Sequence, residues 1–148
     1  MSILETLNTD LKEAMKSGDK LKTEVIRGLK SDLKYKEIEK HEPLSDEEVI
    51  AVLSSAAKRR RDSIEQFSRG GREDLVAKET SELTLINGYL PQQLSDEEIL
   101  KFIDEAIAES GVTTVADIGK LMKVLMPKVK GRADGNRVRQ IIASKLSA

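Results

Sequence analysis

Apolar residues recur along this chain at spacings of three and four and nowhere alternate one for one, so the pattern predicts helices throughout. Leu4, Leu7, Leu11 and Met15 form the first row. Ser17-Gly18-Asp19 then breaks that helix and caps a second one carrying Leu21, Val25, Leu29 and Leu33. Start signals reinforce the periodicity, because Ser followed three residues later by Glu occurs at Ser2 and Glu5, Ser45 and Glu48, and Ser95 and Glu98. In such a capping box the serine oxygen and the glutamate carboxylate each accept from a backbone amide that the first helical turn leaves without a partner.

The third helix carries Val49, Leu53, Ala56, Ile64 and Phe67 and stops at Gly70-Gly71, where left-handed backbone is available. A fourth runs from about Arg72 to Leu90, with Leu75, Leu83, Ile86 and Leu90 on one face. Pro91 has no amide hydrogen and restricts the residue before it, so it forbids continuation and marks a boundary between Pro91 and Leu94. Three shorter helices follow: Asp96 to Glu109 with Ile99, Phe102, Ile103 and Ala106; Thr114 to Met126 with Ile118, Met122 and Leu125; and Gly135 to Leu146 with Val138, Ile141 and Ile142. The expected architecture is all-α, with a helical N-terminal domain of about four helices over residues 1–92 and a small three-helix basic tail domain over 93–148.

Composition narrows the chemistry. Aromatics are 3% of the chain and cysteines are absent, which excludes disulfides, thiol nucleophiles and cysteine-held metals. The first residues lack a basic start followed by an apolar core and a cleavage site, and no run approaches roughly 18 apolar residues, so a cytoplasmic protein outside the membrane is expected. The net charge of -1 conceals an asymmetry. From Ile118 to Ala148 eight basic residues stand against one acid, Asp134, a net of +7 that leaves -8 for the remainder. Such a split is the ordinary footprint of a polyanion-binding end.

Within that segment Met126 to Gly135 reads as a helix stop at Pro127, a sharp turn at Gly131 and a helix restart capped by Asp134. Lys128, Lys130 and Arg132 alternate along it and are expected to project together into solvent, while Val129 and Ala133 face the tail core. With Lys120, Lys123, Arg137 and Arg139 on the flanking helices, they make a candidate phosphate-binding surface beside the free amides of a helix N-terminus. A capping Asp134 would already occupy some of those amides. The plainer reading is a solvated basic loop.

Lys58-Arg59-Arg60-Arg61 resembles a nucleic-acid patch, yet four consecutive residues encircle a helix. Arg60 falls on the apolar stripe between Ala56 and Ile64, and Glu79 falls likewise between Leu75 and Leu83, so a structural ion pair between them is expected, with an RNA role left open for Arg59 or Arg61. His41, the single histidine, sits in a charged loop before Pro43. The acidic clusters Asp46-Glu47-Glu48 and Asp96-Glu97-Glu98 occupy first turns, where carboxylates favour the helix dipole. No catalytic residue, metal site or cofactor is expected, since no nucleophile elbow, phosphate-cradling glycine loop or metal-spaced cluster occurs.

The stretch DIGKLMKVLMPKVKGRADGNRVRQII, Asp117 to Ile142, resembles the signature of the YqeY family, and KRRRDSIEQFSRGGREDLVAKE and GYLPQQLSDEEI support it. That family is in turn similar to the C-terminal tail domain of the B subunit of the glutamine-dependent amidotransferase acting on misacylated Glu-tRNA(Gln) or Asp-tRNA(Asn). The resemblance implies a two-part helical fold and contact with tRNA without chemistry on it, because the catalytic part of that subunit has no counterpart here. Lys123 and Arg139 stand where the tail pattern has small or uncharged residues. Two alternatives remain: a protein–protein adaptor, or a factor that binds amidotransferase subunits and so carries their carbon–nitrogen ligase label by association. No small-molecule substrate is expected.

Overall fold

A computed structural model describes residues 1–146. Ser147 and Ala148, the end of the expected tail domain and of the +7 segment, lie outside the described residues. The chain divides into two compact units, Met1–Pro91 and Gln92–Ala148. The first contains α1 (Ile3–Ser17), α2 (Lys20–Lys40), α3 (Asp46–Arg69) and α4 (Glu73–Asn87). The second contains α5 (Asp96–Ser110), a 3-10 turn (Val115–Asp117), α6 (Ile118–Val129) and α7 (Gly135–Leu146). No strand occurs among the described residues, so the fold is all-helical.

The three capping boxes form as the sequence requires, each with both reciprocal hydrogen bonds at 3.1 or 3.2 Å. Asp19 caps α2, accepting from the Lys22 amide at 3.1 Å. At the opposite end of α2, His41 is the one non-glycine residue with positive φ among those described, at 64°. Its amide donates to the Glu37 and Ile38 carbonyls, so the lone histidine serves as a helix terminator.

The core of the first unit gathers Leu7, Val25, Ile26, Leu29, Leu33, Val49, Leu53, Ala56, Ala57 and Ile86. Two expected core positions fall outside it: Leu4 and Met15 are exposed, and Leu7 and Ala14 are the buried residues of α1. A helix packed mainly along α2 buries one narrow side, and the small Ala14 permits close approach. Helices α3 and α4 form an antiparallel hairpin whose outer apolar residues Ile64, Phe67 and Leu75 stay half-buried outside the main cluster. Helix α4 ends at Asn87 instead of Leu90; Gly88 to Leu90 form a turn.

In the second unit Ile99, Ile103, Ala106, Val112, Leu121, Met122, Leu125, Val129, Val138 and Ile142 make the core. Helix α6 does not stop at Pro127, which lies inside its last turn. The missing amide costs a single intrahelical bond there, whereas one further turn buries Val129 completely, a gain of about 1.5–3 kcal/mol for such a side chain. The Lys130 amide closes the helix by donating to the Met126 carbonyl at 2.8 Å.

Candidate nucleic-acid interface

The extension of α6 through Val129 changes how the basic residues are presented. Lys128 belongs to the helix, so Lys128, Lys130 and Arg132 do not alternate along an irregular strand-like segment. With 100° of rotation per residue, Lys120 and Lys123, with Lys130 just past the helix end, share the side opposite Leu121, Leu125 and Val129, while Lys128 is turned about a third of a circle away. There its Nζ meets Glu109 of α5 at 2.8 Å, and that carboxylate raises the Lys128 pKa.

Arg132 is occupied with holding the chain. Its Nε donates to the Gln92 carbonyl at 3.3 Å, and its guanidinium carbon lies 6.0 Å from the centroid of the Phe102 ring. Alongside, the Leu94 amide donates to the Arg132 carbonyl and the Gln93 side chain to the Gly131 carbonyl, both at 2.8 Å. Gly131, at φ 77°, supplies the turn that aims these carbonyls at residues 93 and 94. Residues 92–94 are therefore strapped to the turn at 131–132.

Arg137 grips Asp96 through two hydrogen bonds, at 3.1 and 2.5 Å, and the guanidinium holds that carboxyl below its ordinary value. Lys145 pairs with Asp104. Asp134 accepts from the Asn136 amide at 3.4 Å, so the start of α7 carries its own carboxylate. Of the seven candidate contacts, Lys120, Lys123, Lys130 and Arg139 are exposed and form no ion pair among the described residues; Lys128, Arg132 and Arg137 are engaged.

The basic segment after Ile118 folds beside an acidic helix. Counted over residues 92–148, nine lysines and arginines stand beside eight acids, a net of +1, and folding sets acidic α5 against α6 and α7. The expected site omitted Glu109, Asp104 and Asp96 as partners of its cations. Asp96 was legible only as a first-turn carboxylate; cross-helix pairing leaves no local sequence mark.

In the first unit the KRRR run disperses around α3. Lys58 faces Asp62 at 3.4 Å and Arg59 faces Asp32 at 2.6 Å. Arg60 turns inward, its Nε 3.8 Å from Glu79 and 3.5 Å from Glu82, with side chains only 22, 19 and 14% exposed. The expected Arg60–Glu79 pair is thus present and gains a second carboxylate. Burial first, and the Glu82 charge second, push the Glu79 carboxyl above its ordinary value. Tyr89 donates to Asp10 at 2.5 Å, and burial together with that carboxylate raises the phenol pKa.

No group of three or more metal-ligating side chains is assembled among the described residues, and no helix among them is long and apolar enough to cross a membrane.

Residues 4–146 match the family described as Yqey-like protein, and the chain belongs to that YqeY family. Among curated relatives, "Altered inheritance of mitochondria protein 41, mitochondrial" of Vanderwaltozyma polyspora is 31% identical over 147 residues, covering 94% of this chain and 79% of that protein. The protein of the same name from Lachancea thermotolerans is 44% identical over 87 residues, 58% of this chain and 46% of its own length. Its namesake in Saccharomyces cerevisiae is 35% identical over 112 residues, 71% of this chain and 60% of its own. The chain thus spans about half to four-fifths of the length of the relatives it matches.

Proposed function

We propose that this YqeY-family protein binds tRNA, contacting backbone phosphates and overall shape without catalysing a reaction on it. The observation that carries the reading is the row of Lys120 and Lys123 on the outward side of α6, a helix that contains no acid, continued by Lys130 at its C-cap. Lysines without carboxylate partners release condensed counterions when they meet phosphates, and a rigid helix spaces them for a folded polyanion. The sequence resemblance to the amidotransferase tail domain supports tRNA as that polyanion, and amidotransferase subunits as companions on it. In this reading Arg132 holds residues 92–94, and Lys128 and Arg137 are occupied in surface ion pairs. The cytoplasm is the compartment expected from the sequence, while the yeast relatives carry mitochondrial names.

Filter binding of total tRNA across a salt series tests the proposal. Replacing Lys120, Lys123 and Lys130 together by Gln should flatten the log–log salt slope by roughly two to three units and weaken all tRNA species alike. Far-UV circular dichroism should stay native, because all three side chains are exposed. An unchanged slope in the folded variant removes α6 from the interface and favours a protein adaptor.

A further inference from the structure

Helix α2 carries seven basic residues and four acids. Lys36 and Lys40 are paired, with Glu39 and with Glu48 and Glu42 respectively. Lys20, Lys30 and Lys34 form no ion pair among the described residues, and Arg27 donates to the Met15 sulfur at 3.8 Å, a weak acceptor, with Glu24 lining the same recess as Lys20 and Arg27. Lys20, Arg27 and Lys34 recur every seventh residue, so they line the side of the helix opposite Val25, Leu29 and Leu33, over about 21 Å. Lys30 flanks this row. Glu24 and Glu37 are the nearest acids along the helix.

Beside the row stands an aromatic that the core does not use. The chain has two tyrosines and two phenylalanines. Tyr89 is tied to Asp10, Phe102 packs against the second core, and Phe67 is half-buried. Tyr35 is 75% exposed, and Ile38, one turn on, is 60% exposed. Tyr35 also walls a groove of about 390 Å³ between α2 and α3, lined by Ala51 and Val52 and by the polar Lys36, Ser55, Arg59 and two carboxylates, Asp32 and Glu48, that are already paired with Arg59 and Lys40. Cations in register beside an exposed ring and a shallow apolar recess match a nucleic-acid strand: phosphates meet the cations, and an unpaired base stacks on the ring.

We propose that the outward face of α2 is a second RNA contact, in which Lys20, Arg27, Lys30 and Lys34 take backbone phosphates and Tyr35 stacks on an unpaired base. This rests on the reading of the protein as RNA-binding and adds a surface in the first unit. It also assigns a base-contacting residue to a chain otherwise poor in aromatics.

The test uses the full chain with two probes: total tRNA, which has unpaired bases, and a perfectly paired RNA duplex. Lys20→Gln, Arg27→Gln and Lys34→Gln combined should lower the salt slope by about two units on both probes. Tyr35→Ala should weaken tRNA about 10-fold and leave the duplex unchanged, while Tyr35→Phe keeps the ring and the affinity. An unchanged slope in a folded triple variant, with wild-type protein binding tRNA and the α6 variant impaired, overturns the α2 contact alone. Equal losses on both probes, or Tyr35→Phe as weak as Tyr35→Ala, overturn the stacking role. Wild-type protein that binds neither probe overturns the RNA reading, and the α2 contact with it.

Discussion

Two ion-pair sites, one in each unit, hold opposite charges in different ways. In the first, Arg60 enters a hairpin and sits between Glu79 and Glu82, all three mostly withdrawn from water. In the second, Lys128, Arg137 and Lys145 reach Glu109, Asp96 and Asp104 across helix boundaries at the surface. Water screens the second kind, and such pairs contribute little individually to stability. The first kind is different: removing one partner strands the others in a poorly solvated site. The comparison teaches that an arginine in a basic run says little about binding until its depth is known. Arg60 looks like the centre of a nucleic-acid patch and is a hairpin rivet.

The comparison can be broken most sharply through the two cores. Leu53 and Leu125 are both fully buried, one in each unit, and replacing either by Ala should cost about 3 kcal/mol. If the units fold separately, amide hydrogen exchange measured by mass spectrometry will show protection lost only within the unit that carries the substitution. Equal loss in both would mean that they unfold as one cooperative body.

Arg60→Ala should have the next largest effect, about 2 kcal/mol by urea denaturation, because two partly buried carboxylates lose their counter-charge. A cost under about 0.5 kcal/mol would assign the cluster to the solvated class. Glu79 adds a pH signature. Its folded pKa is raised, so above the ordinary value of 4.5 the native protein still holds a proton that the unfolded chain has released. Stability therefore falls as pH rises through that window, and Glu79→Gln should remove the fall.

Asp96 provides the smallest effect, with the opposite sign. Arg137 lowers its pKa, so its contribution is present above the ordinary value of 3.8 and is lost as pH falls through the depressed one. Carbon-detected NMR titration should find the Asp96 midpoint below 3.8, returning toward it in Arg137→Gln. An unaltered midpoint would mean that the Arg137–Asp96 contact does not persist in solution.

Helices were legible in the sequence because capping and periodicity are local. A serine and a glutamate three residues apart carry everything a capping box needs, and all three boxes formed. Arg60 opposite Glu79 was legible too, since both interrupt apolar stripes at helical spacing. Pro127 misled as a helix terminator because the compensating burial of Val129 comes from residues of other helices. The acids of α5 were equally legible, but which cations of α6 and α7 they meet was not, because those pairs join different helices.

By itself, then, the sequence determined seven helices, their start signals, the inward turn of Arg60 and the cationic character of the segment after Ile118, all set by spacing within a few residues. Tertiary structure alone decided which cations remain available. Lys128 is paired because Glu109, some twenty residues earlier in the chain, is brought to it, and Arg132 is engaged because Gln92 and Phe102 are. Ion pairing falls off with distance in space and is indifferent to distance along the chain, so only the packed helices settle it.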